Sequence, residues 1–205
     1  MLDYAFNAFV TLLVVVDPPG LAPVFAALTG GYPAKRKRET ALRGALLGAA
    51  ILLGFALAGD VLLGALGISL AAFRIAGGIL LFILALDMVF SSPRGLRSRT
   101  VREQEEDHYD HDISVFPLAI PLIAGPGAIA TVLLYTGGRG ALELAVFVGV
   151  LLAVLLLTLA SLLLASRIMG LLGETGANVL SRVLGVVIAA LAAQFVLDGV
   201  RSSLL

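Results

Sequence analysis

The chain has 205 residues, of which 60% are hydrophobic and 14% are charged, with zero formal net charge and a mean hydropathy of +1.05. A soluble domain of this size does not need so apolar a composition to fill one core, so the composition excludes the soluble globular class and predicts an integral membrane protein. The balanced total charge gives no sign of a nucleic-acid partner, and the absence of cysteine excludes a disulfide framework, a thiol nucleophile and a thiolate metal site.

Six apolar stretches are long enough to cross a bilayer, whose hydrocarbon core of roughly 30 Å takes about 20 helical residues. Gly, Pro and Ser residues punctuate the joints between them. The N-terminus lacks the basic region and the cleavage site of a removable signal peptide, so we expect the first span to stay in the mature protein. The predicted spans lie at about residues 5–29, 41–63, 70–90, 114–136, 141–165 and 177–200.

Basic residues cluster in the joints that follow the first, third and fifth spans. Of the 14 Lys and Arg residues, five lie within 35–43 and four within 94–102, and Arg167 follows the fifth span. The opposite side has only Arg139 and Arg201. Because basic loops stay in the cytoplasm, both termini are predicted to be extracytoplasmic. The stretch 35–43 is interpreted as a topology anchor that touches anionic lipid.

The second half of the chain repeats motifs of the first half at nearly constant offsets of 106 to 108 residues. The matching pairs are Pro19-Gly20 with Pro126-Gly127, Gly64 and Gly67 with Gly170 and Gly173, and residues 74–77 with residues 182–185. Each copy holds three spans, an odd number, so the second copy must be inverted, as in many secondary transporters. The sequence therefore predicts an all-α membrane protein of two inverted three-helix repeats, residues 1–90 and 114–205, joined by a cytoplasmic linker over residues 91–113.

Helix-breaking residues interrupt the first and the fourth spans near the bilayer centre, at 17–20 (Asp-Pro-Pro-Gly) and at 124–127 (Ala-Gly-Pro-Gly). Main-chain groups freed at that depth are tolerated only where they line a cavity. A half-helix that restarts there presents N–H groups to an anion, and one that ends there presents carbonyl groups to a cation. The two interruptions together predict a central site for a zwitterion, meaning an amino acid. The alternative is that both are packing kinks.

The candidate substrate-binding residues surround these two interruptions. Glycines at the interruptions would let the backbone approach a ligand closely. The Asp17 carboxylate would hold a substrate ammonium group, a proton or Na⁺, since ionisable groups in spans are functional by default. Threonine hydroxyls nearby would contact the ligand or cap freed backbone. The full set is Asp17, Pro19, Gly20, Gly125, Pro126, Gly127, Thr11 and Thr131. No cofactor is expected, and H⁺ and Na⁺ are the candidate coupling ions.

Two further groups of polar residues carry weaker expectations. Asp60 and Arg74 lie seven residues either side of Gly67, so we expect them to form a structural ion pair near the outer surface, with gating as the alternative. In the linker, His108 and His111 lie three residues apart among carboxylates. If that segment were helical, the spacing would suit a metal site, but a solvated acidic loop is the favoured interpretation.

Three stretches, residues 17–25, 73–81 and 117–129, resemble the MarC family of six-span inner-membrane proteins. The resemblance covers essentially the whole chain, and the Pro-Leu-Ala-Ile-Pro-Leu-Ile-Ala-Gly-Pro-Gly run at 117–127 is highly specific. It implies a multi-pass protein of a bacterial or archaeal plasma membrane. A subgroup of the family is associated with transport of small neutral amino acids such as glycine and alanine, and the family has Asn or Asp at the position of Asp17.

We therefore expect a secondary transporter of small neutral amino acids that works by alternating access. Its expected partners are a zwitterionic amino acid and the lipid bilayer, without nucleic acid, and the oligomeric state stays open. Efflux of drugs or other hydrophobic compounds is the first alternative, and it predicts a large apolar cavity. The small residues around Gly20 and Gly125 argue against such a cavity. An intramembrane enzyme is the second alternative. It is disfavoured because the spans hold no histidine or cysteine and Asp17 has no obvious acidic partner.

Overall fold

A computed structural model describes residues 1–90 and 112–204, except for five side chains, those of Asp60, Leu172, Glu174, Ala177 and Ser181. The described residues form helical segments and no strands. The segments are α1 (Leu2–Val16), α2 (Pro18–Leu28), α3 (Ala34–Ala65), α4 (Leu70–Phe90), α5 (Ser114–Ile123), α6 (Pro126–Thr136), α7 (Ala141–Leu163) and α8 (Ala165–Leu204). The predicted pair His108 and His111 and the Asp60 side chain of the predicted ion pair lie outside the described residues.

Helices α3, α4, α7 and α8 each contain a stretch long and apolar enough to cross a membrane, and so do α1 and α2 taken together. Within the described residues there are five such stretches, or six if α5 and α6, which are bent by 52° at their junction, count as one broken span or a re-entrant loop. The five are Leu2–Leu28, Ala34–Gly59, Leu70–Phe90, Ala141–Leu163 and Asn178–Leu204. The predicted all-α membrane class is therefore confirmed, with five to six membrane-compatible helices.

Two helices extend well beyond the predicted spans. Helix α3 begins at Ala34, so the basic stretch 35–43 forms its first turns. Helix α8 begins at Ala165 and is kinked at Gly173, whose φ of 62° and ψ of 179° interrupt the helical dihedrals. A positive φ costs glycine little because it has no Cβ, which explains why the kink falls at this residue.

Helix α3 packs closely along α5 and α6, while α7 packs against α1 and α2. Glycines on α3 allow the close approach. A Cβ at Gly44 would overlap the Leu118 side chain, and a Cβ at Gly48 would lie 2.6 Å from the Ile123 side chain. Because the contact positions advance together along both segments, α3 and α5 run in the same direction.

Helices α4 and α8 form the most extensive contact between two helices in the described part of the chain. Three glycines bring the two backbones together, and an added Cβ at each would lie between 2.7 and 3.1 Å from atoms of the facing helix. The facing pairs are Ile75 with Gly199, Gly78 with Val196, and Val89 with Gly185. As positions advance along α4 their partners retreat along α8, so the two helices are antiparallel.

Candidate functional site

The first interruption consists of one residue, Asp17, which lies between α1 and α2. Its φ of 53° and ψ of 62° are left-handed, a conformation that Asp and Asn tolerate better than most residues. The interruption expected over residues 17–20 is too long, since Pro18, Pro19 and Gly20 form the first turn of α2. Prolines fit there because N–H groups in the first turn have no acceptor within the helix.

The Asp17 carboxylate caps the helix that follows it. The side chain is fully buried, and its Oδ1 accepts a hydrogen bond of 3.0 Å from the Gly20 N–H. A Cβ on Gly20 would overlap this carboxylate, so the missing side chain makes room for the cap. A negative charge at a helix N-terminus is stabilising. At the first interruption, Asp17 thus provides the hydrogen-bond acceptor for the N–H group of Gly20, three residues later.

A hydroxyl group from α7, not predicted from the sequence, also binds at this point. Ser161 Oγ donates a hydrogen bond of 2.6 Å to the Pro18 carbonyl, and both residues are buried. The only signal in the sequence is a hydroxyl residue within an apolar span. Thr158 carries the same signal, yet its hydroxyl bonds within its own helix, to the Val154 carbonyl at 2.8 Å. The sequence therefore could not distinguish the two.

The second interruption is broader and begins inside α5. Pro117 and Pro121 lie within this segment and lack N–H groups, so the regular helical hydrogen bonds cannot form there. N–H groups instead reach carbonyls five residues back, as from Ala124 to Ala119 at 2.9 Å. Phe116, with φ of −128° and ψ of 125°, precedes Pro117 in an extended conformation. The prediction of a regular half-helix over 114–123 was wrong for this reason.

Helix α6 restarts at Pro126, with Gly125 as its N-cap in an extended conformation (φ −75°, ψ 167°). No side chain at the N-cap bonds the first turn, so the N–H groups of Gly127 and Ala128 are not capped in the way that Asp17 caps α2. A Cβ on Gly125 would overlap the carbonyl oxygen of Pro121. Unlike Gly20, Gly125 is therefore confined by the main chain.

A cavity of about 150 Å³ lies at this second interruption. Its walls come from the interruption itself, from α1 and from α4. The lining residues are Val15, Leu80, Leu84, Pro121, Leu122, Ile123, Gly125, Pro126, Gly127 and Ala128, and no ionisable side chain is among them. Because Pro19 has no N–H, the Val15 carbonyl lacks the donor that an unbroken helix would provide four residues later. The cavity thus lies between the start of α6 and the end of α1.

Among the predicted site residues, the structure brings Gly125, Pro126 and Gly127 together in the wall of this cavity. Thr131 lies behind them and donates a hydrogen bond of 2.9 Å from its hydroxyl to the Gly127 carbonyl. Pro19 lines a different, apolar cavity of about 460 Å³ between α1, α2, α7 and α8. The predicted residues are therefore divided between separate places in the described structure.

Thr11 belongs to a polar cluster that joins α1 to the end of α6. Its hydroxyl shares a hydrogen bond of 2.9 Å with the Tyr135 hydroxyl, and Tyr4 donates a hydrogen bond of 2.7 Å to the Tyr135 carbonyl. The Arg139 guanidinium lies 5.1 Å from the centre of the Tyr4 ring and 3.3 Å from a Glu143 carboxylate oxygen. This cluster ties the N-terminal end of α1 to the joint between α6 and α7.

Comparison with known proteins shows one family over the whole chain. The model of the family described as MarC family integral membrane protein matches residues 2–204. The UPF0056 membrane protein MJ1677 of Methanocaldococcus jannaschii is 38% identical, over 100% of this chain and 99% of that protein. YvbG of Bacillus subtilis is 34% identical over 98% of this chain and 96% of its own, and the UPF0056 inner membrane protein YhgN of Escherichia coli is 34% identical over 95% of each. No solved structure matches the chain significantly.

Proposed function

The chain belongs to the MarC family of integral membrane proteins, and from this premise we propose that it is a secondary transporter of small neutral amino acids, of the glycine and alanine class. The names of its relatives specify membrane proteins and no substrate. The proposal therefore depends on the geometry of the interruptions.

The observation that carries the proposal is the cavity of about 150 Å³ at the second interruption. The first turn of α6 offers N–H groups and the positive end of a helix dipole to a carboxylate. The Val15 carbonyl offers an acceptor to an ammonium group. With Leu80 and Leu84 in the wall, the remaining space is small and apolar. These features suit a small zwitterion without a charged side chain.

The packing of the helices supports a fold of two inverted three-helix repeats whose first helices are interrupted. Helix α3 of the first unit packs on α5 and α6, while α7 of the second unit packs on α1 and α2. Each unit thus covers the interrupted helix of the other, and α4 and α8, the third helix of each unit, run antiparallel. This exchange is the pattern expected when a pseudo-two-fold axis relates the units, around which alternating access would occur.

We further propose a plasma-membrane location with both termini on the extracytoplasmic side. The distribution of basic residues supports this orientation, and a relative, YhgN, is named an inner membrane protein. On this orientation, the cluster of Tyr4, Thr11 and Tyr135 closes the outer end of the contact between α1 and α6. Asp17, buried at the first interruption, is the candidate group for coupling to H⁺ or Na⁺. No enzymatic reaction and no cofactor are part of this proposal.

Efflux of hydrophobic compounds is the second candidate function, and one observation favours it. The cavity of about 460 Å³ that contains Pro19 is lined mainly by Leu, Val, Ala and Pro side chains, with Ser161 as its polar residue. An apolar solute would fit this cavity better than a zwitterion would.

Thermal unfolding of the purified protein distinguishes the two candidates. A ligand that binds only the folded state stabilises it by about 2.7 kcal/mol at a concentration of 100 times its Kd. We expect glycine and L-alanine to raise the melting temperature, and D-alanine or a hydrophobic drug to raise it less. A larger shift with the drug would contradict amino acid transport and favour efflux.

A further inference from the structure

A polar cavity of about 400 Å³ lies away from both interruptions, where α3 begins and where the chain enters α5. Its volume falls in the range of small-molecule sites, roughly 300–1,000 Å³. The polar residues that line it are Tyr32, Arg36, Glu39, Thr40, Arg43 and Asp112. None of these residues has a part in the proposed transport site.

The spacing along α3 explains why four of these residues face one cavity. Glu39, Thr40 and Arg43 lie three, four and seven residues after Arg36, which places all four on one face of the helix. The Arg36 guanidinium lies over the Tyr32 ring, 4.1 Å from its centre, which holds that charge at the wall.

The cavity presents both signs of charge. Arg43 Nη1 and Asp112 Oδ2 are 4.0 Å apart, with 70% and 53% of their side chains exposed, so each keeps capacity for another partner. Asp112 Oδ1 accepts hydrogen bonds from the Ser114 hydroxyl and the Ser114 N–H at 2.6 and 3.0 Å. These bonds, together with the nearby Arg43 charge, hold the pKa of Asp112 below its ordinary value, so it is a carboxylate at neutral pH. If the stretch 35–43 only bound anionic lipid, carboxylates beside its arginines would repel that lipid, so their presence indicates a ligand that also carries a positive charge.

The depth of the cavity restricts the class of ligand. Tyr32 lies between two membrane-compatible helices, and Asp112 lies two residues before α5. Both are therefore at the ends of spans, where lipid headgroups are found and where Tyr is common in membrane proteins. A ligand at this depth with one anionic and one cationic group is a zwitterionic headgroup.

We propose that this cavity binds the headgroup of a phospholipid that carries a primary ammonium, the phosphatidylethanolamine class. The guanidinium groups of Arg36 and Arg43 bind the phosphate, and the carboxylates of Glu39 and Asp112 accept hydrogen bonds from the ammonium. Phosphatidylglycerol has neutral hydroxyl groups in place of the ammonium, so it offers the carboxylates weaker, uncharged donors and leaves their negative charge unbalanced. Phosphatidylcholine has no N–H group to donate to them. This proposal does not depend on transport or on its substrate.

The test measures the dissociation constants of short-chain phosphatidylethanolamine, phosphatidylcholine and phosphatidylglycerol with the purified full-length chain, by thermal shift at varied lipid concentration. We expect phosphatidylethanolamine to bind about tenfold more tightly than either other lipid, because one additional charge-assisted hydrogen bond changes the dissociation constant by about this factor. Soluble phosphoethanolamine is the parallel arm. It should bind more weakly than the lipid, and equal binding would overturn the assignment to a membrane lipid.

Two variants and a matched control locate the site. Arg43→Gln should weaken phosphatidylethanolamine binding about tenfold, since it removes one charged donor. Arg38→Gln removes the same charge from an exposed position on α3 outside the cavity, and it should leave binding unchanged. Asp112→Asn should remove the preference for phosphatidylethanolamine over phosphatidylcholine. Equal losses from Arg38→Gln and Arg43→Gln, or tighter binding of phosphatidylglycerol, would overturn the proposal.

Discussion

The two interruptions share a Pro-Gly sequence, but they differ in what surrounds the main-chain N–H and C=O groups that lose their helical hydrogen bonds. At the first, a buried carboxylate and a hydroxyl from α7 bind the N–H of Gly20 and the carbonyl of Pro18. At the second, the N-cap residue is Gly125, which has no side chain to cap the restarting helix, and a cavity adjoins its first turn. An interruption can thus be closed by side chains from its own segment and from a neighbouring helix, or can leave a cavity, and the Pro-Gly motif alone does not decide which.

The largest effect is expected from Gly125→Ala, which should abolish binding at the second interruption. The new methyl group would overlap the Pro121 carbonyl, and a main-chain atom cannot move aside as a side chain can. Overpacking of this kind costs about 1–3 kcal/mol. We expect a lower melting temperature and no stabilisation by glycine or L-alanine.

Gly140→Ala is the matched control for that variant. Gly140 is also an N-cap glycine, with nearly the same dihedrals (φ −75°, ψ 165°), but no atom lies within 4 Å of the position of its absent Cβ. Its substitution should change stability by less than about 0.5 kcal/mol. Ligand stabilisation that survives in Gly125→Ala would place the substrate elsewhere.

A smaller effect is expected at Asp17, where two variants distinguish the helix-capping role of the side chain from the role of its negative charge. Asp17→Ala removes the acceptor for the Gly20 N–H and should lower the free energy of unfolding by about 1–2 kcal/mol. Asp17→Asn keeps an acceptor and tolerates the left-handed conformation, so most of that stability should remain. If Asp17 couples transport to protons, the pH dependence of uptake into proteoliposomes should disappear in Asp17→Asn. An unchanged pH profile would leave Asp17 with the capping role alone.

The smallest effect is expected from Ser161→Ala. The variant removes one hydrogen bond between α7 and the Pro18 carbonyl, and such bonds between membrane helices contribute about 0.6 kcal/mol on average. Ser203→Ala is the control for the loss of a hydroxyl, since the exposed Ser203 hydroxyl donates a hydrogen bond of 2.8 Å to the Val200 carbonyl of its own helix. Equal melting temperatures of the two variants would show that the first interruption does not need α7.

The sequence predicted the helical membrane class and the number of membrane-compatible helices well, because apolar length is a property of composition over a window. In the structure, Asp17 and Gly125 lie outside the helices, near the interruptions expected from the sequence, but the amount of irregular backbone at each place differs from the expectation. Pro18 and Pro19, which the sequence suggests as helix breakers, form the first turn of α2, whereas Pro117 and Pro121, on which no predicted interruption depends, disrupt α5.

The candidate site was harder to predict because its residues meet only in three dimensions. Motif spacing could group Gly125, Pro126 and Gly127, which are adjacent in sequence and line one cavity. It could not show that the space beside Gly20 is filled by the Asp17 carboxylate, since that depends on a left-handed turn. Nor could it find Ser161, which lies 143 residues from its partner.

The glycine contacts between α4 and α8 would restrict the movement that the proposed alternating access requires of the two repeats. At each glycine the facing helix brings main-chain atoms and the inner atoms of its side chains close to the glycine backbone. Even a small separation would therefore forfeit dispersion energy along this contact. We expect the contact between α4 and α8 to stay in place while the two repeats rotate about it, so that the interrupted helices undergo the largest displacement.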